Sequence, residues 1–265
     1  MPSRAELPII ERDGEYEQKI DEHLHLHGFA AVRFPMLSSQ ARKLAASWKA
    51  EFFDRDVNVK SDHSRSERGG YYSVAHSEQA LKASEPDWKE YFQVYPGEDM
   101  IIPRSLIAET IDYFDSAYTW GAALLSTWRL SLLPSSQDSL LRIIHYPPAK
   151  GRNRIVAAAH EDVNLLTVLP SSGQPGLEVL FEGRFLKVPC DENLVVLNCG
   201  DALSDHDNSY KSATHRVIRS SEQGSRMSLP LFIHPSKGSI LRDKNVSAGE
   251  ALDKRLAQIE RRVAT

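Results

Sequence analysis

The sequence has little cysteine. Cys190 and Cys199 are the only two in 265 residues, too few for a disulfide scaffold and outside any C-x-x-C spacing, which fits a reducing compartment. It also lacks an excess of charge of either sign. With 32 Lys and Arg against 36 Asp and Glu the formal charge is −4, and no basic run stands out locally, so recognition of nucleic acid by phosphate neutralisation is not expected. No apolar stretch approaches the ~20 residues of a membrane span, and the opening MPSRAELPII lacks the apolar run of a signal peptide. A cytoplasmic protein without a membrane partner is therefore expected. Internal repeats and low-complexity tracts are missing too. What remains is a chain that is 41% hydrophobic, enough for one sizeable core, at a length that leaves one domain or two open.

The periodicity of the apolar residues changes along the chain. Helical spacing runs from Gly14 to His27, with Gly28 as a stop signal, and FAAVRF follows as a β-like run. Residues 39–54 form a second amphipathic pattern with Ser39 as the expected cap. Residues 60–100 are polar, broken by Tyr71-Tyr72 and Tyr91-Phe92, and read as an irregular region carrying binding loops. A long helix is predicted over about 104–131, because Trp120, Leu124 and Trp128 recur at i, i+4 and i+8, and Pro134 ends it. Beyond this point the period falls to two. Runs rich in Val, Ile and Leu occupy 140–146, 154–160, 165–169, 177–181, 184–188, 194–199, 215–219 and 226–233, and Glu182-Gly183 between two of them is a hairpin signal. Short strands at this spacing favour a mainly β jelly roll or barrel with packed helices over an α/β fold. The charged stretch from Ser247 to Arg262 reads as a surface helix.

Ten histidines need sorting. His23, His25 and His27 form an H-x-H-x-H run, yet on a helix only His23 and His27 share a face, and the favoured reading is a helix C-terminus where cationic imidazoles complement the dipole. Asp205-His206-Asp207 sits in the polar run SDHDNSYKS and reads as a solvated loop. His160-Glu161-Asp162 follows the apolar run RIVAAA. On an extended backbone residues i and i+2 project to one side, so His160 and Asp162 present an imidazole and a carboxylate to one point while Glu161 turns away. A second histidine from a later strand would complete a two-His, one-carboxylate set of the kind that suits non-haem Fe(II), and His215 opens such a strand. A structural pair remains the alternative. Arg226 and Ser228 are again i and i+2 and offer a guanidinium fork beside a hydroxyl, a grip for a carboxylate, unless Arg226 is a strand-start residue in solvent.

Taken in order, H-x-D, G-D-x-L, K-S-x-x-H-R-V and R-x-S resemble the 2-oxoglutarate and Fe(II)-dependent dioxygenases of the isopenicillin N synthase-like group. The segments LRIIHYPP, HEDVNLLTVLP, PGLEVLFEGRFLKVP, LVVLNCGDALSDHDNSYKSATHRV and SRMSLPLFIHP are similar to that family's successive strands, and HGFAAVRFP, GGYYS and DWKEYFQV to its N-terminal region. The resemblance implies a double-stranded β-helix, a cupin-like jelly roll. Its catalytic core would span 136–240, with a helical and irregular region at 1–135 shaping the pocket and a surface helix at 241–265, in one integrated domain. It implies His160, Asp162 and His215 as iron ligands, and Arg226, Ser228 and Tyr146 as the hold on the distal carboxylate of 2-oxoglutarate. Ile144 stands where many plant members have Asn, so that contact is missing, and His145 either replaces it or faces the other side of the sheet. Tyr71, Tyr72, Tyr91, Phe92, Asn164 and Phe232 are candidates for the substrate pocket. The implied activity is O₂-dependent hydroxylation, desaturation or cyclisation of a small molecule by a monomer, with succinate and CO₂ released. Asp162 disfavours halogenation, since related halogenases have a small residue there. Two other readings stand beside it: an oxidative cyclase using O₂ without 2-oxoglutarate, and a non-catalytic jelly-roll sensor.

Overall fold

The computed structural model describes residues 7–63, 69–77, 87–96, 102–128, 130–149, 154–219, 221–242 and 244–263. Its first half runs β1 (Ile9–Ile10), α1 (Tyr16–His27), β2 (Phe29–Arg33), α2 (Pro35–Trp48), a π-helical turn (Lys49–Phe53), α3 (Val57–Ser61), β3 (Gly70–Tyr72), β4 (Glu90–Val94) and α4 (Ile107–Thr127). The second half runs β5 (Pro134–Tyr146), β6 (Arg154–His160), β7 (Leu166–Pro170), β8 (Leu177–Phe181), β9 (Arg184–Lys187), β10 (Leu194–Cys199), α5 (Asp201–Ser204), β11 (His215–Arg219), β12 (Arg226–Ser228), β13 (Leu231–Pro235), β14 (Ile240–Leu241), β15 (Val246–Ser247) and α6 (Ala248–Val263).

Two sheets carry the architecture. The larger has the order β1-β2-β10-β7-β13-β5-β4-β3 with β12 also on β5, and the smaller has β6-β11-β8-β9. Alternation along each strand divides its side chains between two cores. Ile144 and Tyr146 of β5 join Phe29, Tyr91, Val156, Val179, Val196 and Val217 between the sheets. Leu141 and Ile143 of the same strand face the other way, into a core with Trp48, Phe114, Leu124 and Ile233 that α2 and α4 cover. This is a jelly roll with helices packed on the outside of its larger sheet. The first 135 residues do more than wrap it, because β1, β2, β3 and β4 are strands of that sheet. Among the described residues no helix is long and apolar enough to cross a membrane.

Local signals explain most boundaries. Gly28 caps α1 with φ +79° and its N–H donates to Leu24 O. This is the left-handed geometry that glycine adopts without penalty, and a Cβ there would meet Lys211 O at 2.4 Å. Glu182 and Gly183, at φ +47° and +78°, form the two-residue turn between β8 and β9. Several expectations need correction. The second helix starts at Pro35 rather than at Ser39, since proline's fixed φ suits the first helical turn. The long helix is Ile107–Thr127, with the 3₁₀ turn Arg104–Leu106 before it. The predicted strand 226–233 breaks into β12 and β13 around Leu229 and Pro230, where Pro230 has no N–H to give a ladder and its carbonyl accepts from Arg142 N–H instead. Within 60–100 the chain supplies β3 and β4, and residues 64–68, 78–86 and 97–100 lie outside the described residues.

Candidate metal centre

His160 ends β6 and His215 begins β11, and the two are direct partners across the ladder, with ring centroids 4.4 Å apart. Asp162 follows β6, and its Oδ1 lies 3.7 Å from His160 Nε2 and 3.9 Å from His215 Nε2. All candidate ligand atoms of the three fall within 4.8 Å of one another. Each imidazole is turned by a local carbonyl: His160 Nδ1–H donates to Ala158 O at 2.7 Å and His215 Nδ1–H to Ala213 O at 2.9 Å. Those bonds place the proton on Nδ1 and leave Nε2 as a lone-pair donor. Burial, and then the neighbouring His215, hold His160 below the usual imidazole range, which favours the neutral ligand form. Asp162 is oriented as firmly. Its Oδ2 accepts from Thr167 Oγ1 at 2.5 Å, and Thr167 Oγ1 accepts from Asn164 Nδ2 at 2.9 Å. The ligand loop is fixed from below, since Asp201 N–H donates to Asp162 O and Ala202 N–H to Asn164 O. Gly200 permits that approach, because a Cβ there would meet Asn164 O and Oδ1 at 2.2 Å each. With Asp162 and His215 buried and the His160 side chain 35% exposed, the group is open on the His160 side.

Arg226 and Ser228 of β12 pair with Tyr146 and Ile144 of β5. Arg226 is 3% exposed, its Nε and Nη1 have no hydrogen-bond partner, and its Cζ lies 5.4 Å from the Tyr146 ring centroid. Burial lowers its pKa and raises that of Tyr146, so the phenol keeps its proton as a donor. A buried guanidinium with orphaned donors is unfavourable without an anion, and the distal carboxylate of a small dicarboxylate is the group that such a fork takes. The donor set at the triad, two imidazoles with Nε2 turned inward and one carboxylate, likewise suits Fe(II).

Ile144 projects to the same face as Tyr146, while His145 turns to the opposite one. There His145 Nδ1 lies 2.7 Å from Glu90 Oε1, and Lys60 Nζ donates to Glu90 Oε2 at 2.8 Å, beside Tyr71 Oη–H on the same oxygen. His145 therefore does not stand in for the missing Asn.

The aromatic candidates divide by strand parity. Tyr72 and Tyr91 stack at 4.8 Å and 15° on the inner face, and Phe232 reaches that face with Arg142, whose Cζ is 4.6 Å from the Tyr91 centroid and 5.5 Å from that of Phe232. Tyr71 and Phe92 instead belong to the helix-side core, where Phe92 packs 4.9 Å from Trp48. Asn164 is fully buried behind Asp162. The other histidines change reading as well. Burial holds His23 and His27 below the usual imidazole range, and the His27 ring packs 4.6 Å from Phe181, so they are neutral packing groups rather than dipole-capping cations. His206 is buried, with Ser131 Oγ 2.9 Å from Nε2 and Arg242 N–H donating to Nδ1.

Sequence reasoning passed over Thr167, although it stands five residues after Asp162. It also passed over Asp87, whose Oδ1 accepts from Ala158 N–H at 3.0 Å and whose Oδ2 accepts from buried Lys89 at 2.8 Å. That pair supports the residue whose carbonyl turns His160, and a contact across 71 positions leaves no local signal. A separate cavity of about 560 Å³, lined by Asp201, His234, Leu241, Ala248 and Arg255 among others, meets the ligand loop at Val163.

Comparison with known proteins gives the following. The profile of the 2OG-Fe(II) oxygenase superfamily matches residues 137–235. The structure of an assigned oxygenase from Shewanella oneidensis is 32% identical, with TM-score 0.81, over 97% of this chain and 99% of that one. A full-length Neurospora crassa protein solved in complex with α-KG shares the fold at TM-score 0.78 and 20% identity over 95% of each chain. Leucoanthocyanidin dioxygenase from Malus domestica is 27% identical over 83% of this chain and 65% of its own length. Gibberellin 2-beta-dioxygenase 1 from Arabidopsis thaliana is 37% identical over 40% of this chain and 36% of its own length. The chain thus spans less than two thirds of these curated relatives.

Proposed function

The chain belongs to the 2OG-Fe(II) oxygenase superfamily, and on that premise we propose that it is a non-haem Fe(II)- and 2-oxoglutarate-dependent oxygenase. It hydroxylates a C–H bond of a small molecule, or desaturates or cyclises it, with release of succinate and CO₂. One observation carries the reading: the His160, Asp162 and His215 group and the orphaned Arg226 guanidinium occur together inside one jelly roll. A sensor that had lost catalysis has no use for a buried, unpaired cation in the same jelly roll as a metal group, and an oxidative cyclase working without 2-oxoglutarate leaves that cation to the substrate.

His160 Nε2, His215 Nε2 and Asp162 Oδ1 would hold Fe(II) on one face. Arg226, Ser228 and Tyr146 would hold the distal carboxylate of 2-oxoglutarate. When bound, the metal and cosubstrate supply the activation of O₂ that an unactivated C–H bond requires. The protein's part is to turn both Nε2 atoms and one Asp162 oxygen toward a common point, with burial favouring the neutral form of His160. Stacked Tyr72 and Tyr91, with Arg142 against Tyr91 and Phe232, suit a planar small molecule carrying an acidic group. We assign the protein to the cytoplasm, a reading supported by its two free cysteines. Anaerobic titration with Fe(II), with and without 2-oxoglutarate, tests the reading: the weak visible charge-transfer band of the chelate should appear only with both. No band, and no succinate with any substrate, would refute it.

A further inference from the structure

Asn198 lies inside β10, fully buried, and neither its Nδ2 nor its Oδ1 has a hydrogen-bond partner. An orphaned amide in the run LVVLNC opposes folding, since an apolar side chain of that size would bury no unsatisfied atoms. Its neighbours supply a reason for it. The ladder sets Asn198 opposite Thr167 of β7, and the next pair on that face, Val196 and Leu169, lies between the two sheets. Side chains of directly opposed residues stand within about 4.5–5.5 Å at Cβ. Thr167 is the residue whose hydroxyl donates to Asp162 Oδ2. Asn164, which donates to that hydroxyl, has its own Oδ1 buried and unpartnered, against Gly200, two residues beyond Asn198. One amide with both donor and acceptor unfilled and a second with an unfilled acceptor therefore flank one hydroxyl, whose proton goes to the carboxylate of the triad.

We propose that Asn198 is a positioning residue for Asp162. Together with Asn164 it holds an ordered water beside Thr167, which completes the polar contacts of all three and fixes which Asp162 oxygen faces the metal. Such a water has the two to four polar partners that buried waters require. This rests on the metal-centre reading above.

The test compares wild type with Asn198→Leu, Asn198→Thr, Thr167→Val and the Asn198→Leu/Thr167→Val double variant, using Co(II) as an oxygen-stable probe. Co(II) affinity is followed by its visible absorption, and thermal melting of each metal-free protein is recorded alongside. Asn198→Leu should still melt cooperatively yet bind Co(II) about tenfold or more weakly, the size of effect seen for groups that orient metal ligands. Asn198→Thr, which restores a donor and an acceptor, should return most of that loss, and the double variant should lose less than the two single losses combined. Unchanged Co(II) affinity in Asn198→Leu, no recovery in Asn198→Thr, or strict additivity overturns the proposal. If wild type binds no Co(II) at all, the metal-centre reading itself fails, a result distinct from each of those. Should Asn198→Leu fail to fold, Asn198→Val against Asn198→Thr decides it, since the two are nearly equal in size and differ in hydrogen bonding: Asn198→Val should bind Co(II) about tenfold more weakly than Asn198→Thr, and equal affinities overturn the proposal.

Discussion

Replacing Arg226 with Leu removes the buried cation while keeping an apolar body in β12. In the unliganded protein Nε and Nη1 of Arg226 are without partners, so the change removes orphaned donors and a desolvated charge, and the metal-free protein should melt at the same temperature or higher. Binding of 2-oxoglutarate should respond in the opposite sense. Two charge-assisted hydrogen bonds of about 1.5–3 kcal/mol each would be lost from a bidentate grip, about 3–6 kcal/mol in all, or about 10²- to 10⁴-fold in affinity at about 1.4 kcal/mol per tenfold. Ser228→Ala removes a single hydrogen bond to an ionised carboxylate, about 1.5–3 kcal/mol, and should weaken binding less, by about tenfold to 10²-fold. The assay is the 2-oxoglutarate titration of the charge-transfer band at saturating Fe(II), with Fe(II) affinity measured separately in the absence of 2-oxoglutarate. Comparable losses for Arg226→Leu and Ser228→Ala, or a loss of Fe(II) affinity as large as the loss for 2-oxoglutarate, would refute the assignment of the fork.

Asp162→Ala should abolish succinate formation by removing the anionic ligand, and preserved turnover would sink the triad. Gly200→Ala should destabilise the protein by about 1–3 kcal/mol in urea denaturation, since the added Cβ meets Asn164 backbone and side chain at 2.2 Å; an unchanged midpoint contradicts this. Glu90→Gln should cost about 3–5 kcal/mol at pH 7, because it strands the buried Lys60 ammonium. Burial raises the Glu90 pKa, but hydrogen bonds from His145, Lys60 and Tyr71 outweigh it and bring the carboxyl below the usual 4.5. The stabilisation is therefore present above that value and lost as pH falls through the lower folded-state pKa. The gap between wild type and Glu90→Gln, read from denaturation curves, should close only under strongly acidic conditions; a gap already closed at pH 5 would be inconsistent with the network.

The parts of the site legible from spacing alone are local, whereas His215, read from a later strand, and Tyr146, read from the family resemblance, reach their partners only through the ladders. His160 and Asp162, and Arg226 and Ser228, are two residues apart, so an extended backbone alone puts each pair on one side. Tyr71, Tyr72, Tyr91 and Phe92 show the limit. Their aromatic character is plain, but which of each adjacent pair faces between the sheets depends on strand parity, and a slip of one residue would exchange them. The pairing of Tyr72 with Tyr91 and of Tyr71 with Phe92 decides it. His206 was illegible for a different reason: its sequence neighbours are polar, while Ser131 and Arg242 close over it from distant segments. The start of α2 was misplaced because Ser39 looks like a cap, although Pro35 already fixes the turn and Ser38 is drawn inward to Leu194 O.

The pair β4 and β5 carries two separate polar systems back to back. Outward lie Glu90 and His145 with Lys60 and Tyr71; inward lie Tyr91, Arg142, Ile144 and Tyr146. Because the outward set ties α3, β3, β4 and β5 together, an exchange on the inward face meets a backbone that cannot slide to accommodate it. Single replacements at Tyr91, Arg142 or Ile144 can then reshape the face between the sheets without unsettling the strand that bears Tyr146. The charge cluster on the helix side is in this sense what leaves the opposite face free to vary.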